Sequence, residues 1–380
     1  MFLTMAFKLY PALGCLLAII IYVISMFKHP LIQKCEVDKC PLCYGTNMCD
    51  SMNNSEIKLD FSSFERVFNN LFSVKNVFYG KFKDSEVVLK KLGQDEELVK
   101  VLTMVKTLSA RKYRAFLVNS ILETFYKKDN INIKDFHVCN LETAEYFLEY
   151  LYQKGFTLEQ IWTIKQVNVE PLLLKVFEYK KGWPVPKYYG ACGRMIVQSY
   201  CGVNLNYFEI HPWIDRATIA VGILNAAEDF TTAHQTFSLY LTDVSPDNIV
   251  VDRNLNVYFI DLENAIIQMR NQSIEKFNIK NNHKSRNFED EPYAFSTDDI
   301  CSYPLSDHNI YSVCKLLLSS KAPWPMMKGG LLHSPPKSIK GHDLFKYIEL
   351  CVEADNKINR FSLMKVIVYI LRELINTSHK

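Results

Sequence analysis

Residues 242–264 read TDVSPDNIVVDRNLNVYFIDLEN. Residues 248–252, with the apolar core IVV, and the apolar run 257–260 lie on either side of an asparagine-rich turn, a pattern that predicts two strands joined as a hairpin. Asp243 and Asn248 stand at the start of the first strand, with a proline between them, and Asp261 ends the second. We expect these three polar side chains to face a common cavity.

The three residue types suit one kind of chemistry. The amide oxygen of Asn248 and the carboxylate of Asp261 are hard oxygen ligands of the kind that Mg²⁺ or Mn²⁺ takes. Asp243, which the metal does not need, can orient or deprotonate a hydroxyl group. This set is what phosphoryl transfer requires, since its catalysis is mostly positioning and charge stabilisation. Taken singly, each residue could instead cap a turn or close a strand.

Strand patterns gather early in the remaining chain and helical patterns gather late. Residues 74–92 predict two strands joined by a polar turn at 83–85, and residues 187–201 predict a second β region. Helical spacing marks residues 95–108, 111–127, 141–154, 213–230, 308–318, 343–354 and 363–374.

We therefore predict an α+β, two-lobed chain with a β-sheet N-lobe and a mainly helical C-lobe. The predicted divisions are a short tail at 1–8, an apolar segment at 9–27, a cysteine-rich collar at 28–60, an N-lobe with a helical insertion at 61–202, and a helical C-lobe at 203–380.

The apolar segment has the length of a membrane span. Its 19 residues carry no charge and can cross a bilayer core of roughly 30 Å as a helix. A cleaved signal peptide usually has a shorter apolar core and a small-x-small cleavage site, which residues 23–25 match poorly. We predict an uncleaved signal anchor in a single-pass type II protein of the Golgi or endoplasmic reticulum membrane. A secreted form is the alternative.

Cysteine usage places the rest of the chain in an oxidising compartment. Cys15 lies in the apolar segment, and the remaining cysteines are even in number, which fits disulfide pairing. N-x-[ST] sequons at Asn53, Asn271 and Asn376 also fit passage through the secretory pathway. The disulfide candidates are Cys35, Cys40, Cys43, Cys49, Cys139, Cys192, Cys201, Cys301, Cys314 and Cys351.

The first four of these cysteines crowd into CEVDKCPLCYGTNMC, residues 35–49. The C-x2-C spacing of Cys40 and Cys43 also suits a zinc knuckle. No second such pair or regularly spaced histidine follows, so we predict a disulfide-stapled collar between the membrane and the domain.

The central stretch resembles a known family. TDVSPDN at 242–248 and IDLEN at 260–264 resemble the catalytic loop and the D-F-G motif of protein kinases, and their spacing also matches that family. The resemblance implies that ATP binds with Mg²⁺ or Mn²⁺, held through Asn248 and Asp261, and that Asp243 activates an acceptor hydroxyl.

Supporting residues follow from the same resemblance. VVLK at 87–90 looks like the kinase strand that carries the phosphate-binding lysine, which makes Lys90 that residue. Glu97 or its neighbour Glu96 is the implied partner of Lys90, with Glu123 as a fallback. Asp307 resembles the buried aspartate that braces the catalytic loop. Arg360, in DNKINR, resembles the late arginine of the kinase helical lobe.

A closer resemblance is to the divergent protein kinase domain family of the secretory pathway, in particular its deleted-in-autism branch. The phrases that carry it, from 40 to 336, are CPLCYGT, VVLKKLG, GWPVPKYYGACGRM, LYLTDVSPDN and GGLLHSPP. It implies a kinase-like fold behind a signal or anchor, a cysteine-rich collar, and Golgi passage or secretion. The acceptor would be a protein or a glycan.

Several kinase features are altered. No glycine-rich loop precedes Lys90, Leu241-Thr242 replaces the His-Arg before Asp243, Ser245 stands where a lysine is frequent, and Leu262-Glu263 replaces Phe-Gly. Two hypotheses remain open. The chain is either a luminal kinase or a pseudokinase acting as a secreted or membrane-tethered ligand or scaffold for a cell-surface receptor.

The net charge of +3 and the lack of a basic arm exclude nucleic acid as an expected partner.

Overall fold

The computed structural model describes residues 31–37, 44, 46–72, 76–93, 110–126, 136–270, 283–284, 296–354 and 358–378. The chain divides into two compact units. The sheet unit takes in residues up to Leu108 together with Tyr188–Tyr200, and the helical unit takes in Ser109–Lys187 and Cys201–Lys380. A sheet-rich part and a helix-rich part are what the predicted α+β class requires.

The strands of the described chain are β1 (Ile57–Leu59), β2 (Val77–Phe82), β3 (Ser85–Lys91), β4 (His137–Val138), β5 (Tyr188–Cys192), β6 (Met195–Ser199), β7 (Val203–Asn204), β8 (Phe237–Leu241), β9 (Ile249–Val251), β10 (Val257–Phe259) and β11 (Ala265–Met269). The α-helices are α1 (Leu31–Lys34), α2 (Cys49–Asn53), α3 (Phe64–Phe72), α4 (Ala110–Phe125), α5 (Leu141–Gln153), α6 (Leu158–Val167), α7 (Glu170–Val176), α8 (Trp213–Thr232), α9 (Thr297–Cys301), α10 (His308–Val313), α11 (Asp343–Glu353) and α12 (Arg360–Ser378). A π-helical turn at Cys314–Leu318 continues α10.

The sheet unit is a five-stranded antiparallel sheet in the order β1-β2-β3-β6-β5. The predicted strands at 74–92 are confirmed as the hairpin β2–β3, with Lys83 at its turn in a left-handed conformation (φ 54°). Val87 and Leu89 on β3 are buried, and the alternating residues Glu86, Val88 and Lys90 face the other way, as the two-residue period of a strand dictates. The central strand β3 therefore buries one face in the core of the unit.

The predicted collar is part of this unit rather than a separate segment. Leu31 and Ile57 lie in the same apolar cluster as Phe78 on β2 and Leu89 on β3. A disulfide joins Cys49 to Cys192 on β5, which fits the predicted disulfide-stapled collar. Cys35 is buried in the apolar cluster, where its Sγ lies 3.0 Å from the sulfur of Met52. Cys40 and Cys43 lie outside the described residues.

Gly190 on β5 explains how the collar packs so closely on the sheet. Its φ is +143°, and a Cβ at this position would lie 2.2 Å from the carbonyl oxygen of Thr46. The backbone of Thr46 and Met48 bonds to that of Ala191, the next residue. Only glycine allows this approach, which gives a structural reason for the YYGACG phrase.

The helical unit is built on α8, a 20-residue helix that is largely apolar and packs against α12, α10 and β8. Since a helix with apolar residues on most sides is stable only when surrounded, α8 forms the centre of this unit. Two small sheets, in the orders β10-β9-β7 and β4-β11-β8, lie in the same unit.

Two disulfides of the helical unit join Cys139 to Cys301 and Cys314 to Cys351. The sulfur of Cys201 is buried.

The predicted division at residue 202 differs from the structure in one respect. Residues 109–187, which the prediction placed in the N-lobe as an insertion, group with the helical unit. Within this stretch, α6 starts with a capping box formed by Thr157 and Gln160, and α7 starts with Pro171 in its first turn. Neither helix was predicted. In α7 the apolar residues are nearly continuous, which hides the helical period, and α6 has only ten residues, close to the lower limit for recognising that period.

Three other predicted features lie outside the described residues. The predicted helix at 95–108, the sequon at Asn271 and the predicted span at 9–27 all do so. Within the part of the chain that is described, no helix has the length and apolar character needed to cross a membrane. The sequon residues Asn53 and Asn376 are exposed.

Candidate functional site

The structure brings the loop 242–248 and the turn 260–264 side by side. The Ile260 amide donates to the Asn248 carbonyl at 2.9 Å, and the Thr242 amide donates to the Asn264 carbonyl at 3.2 Å. Asp243, Asn248 and Asp261 therefore lie on two adjoining segments. Each segment is fixed by its own strand, β9 or β10, and these strands pair as the predicted hairpin.

The side chains of the loop are oriented by local hydrogen bonds. Asn248 donates from Nδ2 to the backbone carbonyl of Asp243 at 3.1 Å, which closes the loop and leaves the Oδ1 pointing away from that contact. Asn264 donates from Nδ2 to Oδ2 of Asp243 at 3.5 Å. Asp243 and Asn248 are both half-buried. The loop thus presents one carboxylate and one amide oxygen beside the turn that carries Asp261.

Asp261 has an unusual backbone conformation. Its φ is +62°, in the left-handed region that glycine adopts freely and that, among the other residues, asparagine and aspartate adopt most readily. The amide of Asp261 donates to Oε1 of Glu170 at 3.3 Å, and Glu170 is fully buried at the start of α7. The buried Glu170 carboxylate therefore helps to hold the backbone of this exposed turn in its left-handed conformation.

The neighbouring residues hold the same turn to the chain before α7. Asn168 donates from Nδ2 to the carboxylate of Glu263, and its Oδ1 accepts from the Glu170 amide at 2.8 Å. Leu262 is buried. Leu262-Glu263, which replaces the Phe-Gly of protein kinases, is therefore a firmly attached turn.

Asn309 braces the strand that leads into Asp243, a role the sequence had given to Asp307. Asn309 accepts from the Leu241 amide at 2.9 Å and donates to the Leu239 carbonyl at 2.8 Å, while His308 contacts the Leu241 carbonyl through Nε2 at 2.8 Å. The bracing contacts that the structure describes therefore come from His308 and Asn309, the two residues after Asp307. Asn and Asp have the same shape, so sequence alone could not choose between them.

Asp307 instead pairs with Arg360. Their Oδ2 and Nη1 atoms are 2.8 Å apart, and both side chains are almost completely buried. Arg360 also donates to the carbonyls of Cys351 and His283, at 2.6 and 2.8 Å. The two residues predicted separately as structural supports thus form one buried ion pair.

Lys90 lies on β3 in the sheet unit, half-buried and on the face opposite to the buried Val87 and Leu89. Its predicted partners Glu96 and Glu97 lie outside the described residues. The fallback, Glu123, is exposed on α4 of the helical unit.

Glu170 is a buried carboxylate that the sequence analysis did not identify. Its only signal in the sequence is its position just before the apolar run PLLL.

The donor set fits a divalent metal. Asn248 and Asp261 supply an amide oxygen and a carboxylate, the hard donors that Mg²⁺ and Mn²⁺ prefer, and two protein ligands suffice when phosphate oxygens and water complete the shell. Among the described residues, no group of three His, Cys, Asp or Glu side chains is placed to hold a metal ion.

His308 gives the site a pH-dependent support. Burial, with a smaller effect of Arg360, lowers the pKa of His308 to about 4, while its hydrogen bond to the Leu241 carbonyl opposes the shift. The unfolded state therefore binds a proton near the ordinary pKa of about 6.5 while the folded state does not. Stability is complete above that value and is lost as the pH falls towards about 4.

We expect the free energy of unfolding to fall by about 2 kcal/mol more between pH 7 and pH 5 in the native chain than in His308→Gln. Chemical denaturation at both pH values measures this. Other buried histidines, such as His234, titrate equally in both proteins and cancel. Equal pH dependence in the two proteins would contradict the role given to His308.

Comparisons with known proteins agree with this geometry. The family model described as "Protein-kinase domain of FAM69" matches residues 161–354. Divergent protein kinase domain 2A of Xenopus tropicalis is 30% identical, over 90% of this chain and 88% of that protein. Its Homo sapiens counterpart is 29% identical over the same shares. Divergent protein kinase domain 2B of Homo sapiens is 21% identical over 59% of this chain and 58% of that protein. The family match covers Glu170, the loop 242–248 and the turn 260–264.

Proposed function

Because this chain belongs to the family of the protein-kinase domain of FAM69, we propose that it is a divergent phosphotransferase of the secretory pathway. It would bind ATP with Mg²⁺ or Mn²⁺ and transfer phosphate to a hydroxyl of a protein or a glycan. The observation that carries this proposal is the pairing of the loop 242–248 with the turn 260–264. That pairing puts Asp243, Asn248 and Asp261 on adjoining segments.

Each residue has a distinct role in the proposal. Asn248 and Asp261 would hold the metal, which when bound neutralises charge on the phosphates. Asp243 would orient the acceptor hydroxyl and take its proton, as a general base. Lys90 is the cation that we assign to the nucleotide phosphates. Glu170 is a positioning residue, since it acts through the backbone of Asp261.

Nucleotide binding provides the first test. We expect ATP with Mn²⁺ or Mg²⁺ to stabilise the purified protein against heat, by about 2.7 kcal/mol at a nucleotide concentration a hundred times its Kd. Asp261→Asn should abolish this stabilisation, because the variant loses the charged ligand.

Asparagine is the suitable replacement because, unlike alanine, it tolerates the left-handed backbone at this position. The stability of Asp261→Asn without nucleotide should therefore match that of the native chain. Lack of any stabilisation of the native protein by ATP with either metal would contradict the proposal.

A second function, a pseudokinase that acts as a ligand or scaffold, is favoured by the connection between β1 and β2. In protein kinases a glycine-rich loop covers the phosphates, whereas this connection contains the helix α3. Gly80, the glycine nearest to a phosphate-binding position in the sequence, lies within β2. A Cβ there would lie 2.8 Å from the carbonyl oxygen of Lys58 on β1. Gly80 therefore serves strand packing and gives no grip on phosphate.

We also propose a type II membrane location in the Golgi or endoplasmic reticulum, with the domain in the lumen, and a secreted form as the alternative. Support comes from the apolar segment 9–27 and the disulfides Cys49–Cys192, Cys139–Cys301 and Cys314–Cys351. Disulfides persist in oxidising compartments and are rare in the cytosol. Under the pseudokinase alternative, the partner would be a cell-surface receptor.

A further inference from the structure

The helix α3 faces the solvent with its apolar side. Phe64, Phe68 and Phe72, at positions i, i+4 and i+8, are 85%, 46% and 65% exposed. Their rings contact one another in sequence, with centroids 6.4 and 4.8 Å apart. We call these three residues the phenylalanine stripe. Since the residues repeat at helical spacing, the stripe runs along one line of the helix for about 12 Å.

The polar side of α3 is what attaches it to the sheet. Asn70 is buried, donates to the carbonyls of Asp60 and Tyr79 at 2.6 and 2.9 Å, and accepts from the Tyr79 amide at 2.7 Å. Arg66 forms ion pairs with Asp60 and with Glu86 on β3. A helix on a protein surface normally buries its apolar face and exposes its polar face. In α3 the apolar Val67 and Leu71 are half-buried, but the three phenylalanines face outward, and the polar contacts of Arg66 and Asn70 fix the helix in this orientation.

The chain itself limits how far this unit can lie from a membrane. The apolar segment ends at Phe27, and Leu31, four residues later, is already buried in the core of the sheet unit with Ile57 and Phe78. Four residues span at most about 14 Å when fully extended. If residues 9–27 cross a bilayer, the sheet unit lies directly at its surface.

We propose that the phenylalanine stripe inserts into the lipid surface beside the anchor and holds the sheet unit against the bilayer. This inference rests on the type II topology proposed above. Aromatic side chains are favoured at the membrane interface, and a helix with a strongly apolar side lies in the plane of that interface. The short tether keeps the lipid surface within reach of the unit, which is the reason to choose it over a protein partner.

The test uses the full chain in phosphatidylcholine nanodiscs, with tryptophan at position 68 as the reporter (Phe68→Trp). The tryptophan emission of this protein in these nanodiscs is compared with its emission in nanodiscs whose phosphatidylcholine is brominated on the acyl chains. The native protein, measured in the same way, gives the contribution of its four tryptophans, which is subtracted. We expect the emission of the reporter to fall about two-fold, because an interfacial helix lies roughly 5–10 Å deep. In a Phe64→Ser, Phe72→Ser background, the quenching should disappear without a change in thermal unfolding, since both replaced side chains are mostly exposed.

Protease protection of residues 9–27 is measured on the same nanodiscs to separate the two proposals. A protected anchor with an unquenched reporter would overturn the lipid contact and leave the topology intact. An unprotected anchor would overturn the topology and the lipid contact together. Reporter emission that changes with the ratio of protein to lipid, and not with bromination, would show contact between two copies and would also overturn the inference.

Discussion

Replacing Arg360 with methionine is expected to lower the free energy of unfolding by about 3–5 kcal/mol, the cost of breaking a buried ion pair from one side. Arg360 is fully buried and donates to Oδ2 of Asp307 at 2.8 Å. Without it, the Asp307 carboxylate stays in the interior with its countercharge removed. The carbonyls of Cys351 and His283 also lose a donor, and unsatisfied buried carbonyls add to the loss.

The measurement is chemical denaturation monitored by tryptophan fluorescence. Arg372→Met is the matched control, because Arg372 is exposed on the same helix α12, and we expect a change of at most about 0.5 kcal/mol there. Asp307→Asn combined with Arg360→Met should cost less than the sum of the two single changes, since each removes the same pair. An Arg360→Met protein within 1 kcal/mol or so of the native chain would show that the pair is not a structural support.

Asp243→Asn is expected to lower phosphate transfer by about 10³-fold, in the range that a general base contributes. The substitution keeps the shape of the side chain, and the new amide oxygen can still accept from Nδ2 of Asn264. The contact from Asn248 is made to the backbone carbonyl and is unaffected. Folding and nucleotide binding should therefore be unchanged, which separates loss of chemistry from loss of structure.

Transfer of labelled phosphate from ATP to casein and to glycan acceptors measures this effect. Asp247→Asn is the control, because Asp247 is exposed on the same loop and its replacement can still accept from Asn206. We expect this control to transfer within a few-fold of the native rate. Equal transfer by Asp243→Asn and the native chain would remove Asp243 from the mechanism. A native chain that binds ATP but transfers no phosphate would support the pseudokinase alternative.

The central hairpin could be predicted because its signals are local. Strands β9 and β10 are short apolar runs around an asparagine-rich turn, and the residues at their ends are brought together by the hairpin itself. The β2–β3 hairpin was predictable for the same reason. Patterns of this kind need no knowledge of distant contacts.

Residues that act across long sequence separations could not be predicted in the same way. Glu170 reaches the amide of Asp261 from a position 91 residues earlier in the chain, and Asn309 reaches Leu241 from 68 residues later. Nothing in the local sequence around either residue specifies these contacts. The collar is a similar case, since Gly190 and the Cys49–Cys192 disulfide join segments that are far apart in sequence.

Mn²⁺ binding followed by electron paramagnetic resonance tests the metal site most directly. At an ATP concentration that alone binds Mn²⁺ only partly, the native protein should lower the signal of the hexaaquo ion further, up to one bound ion per chain. Asp261→Asn, which keeps the left-handed backbone, should return the titration to that of ATP alone. Identical titrations for the native chain and for Asp261→Asn would contradict a metal–nucleotide site at Asn248 and Asp261.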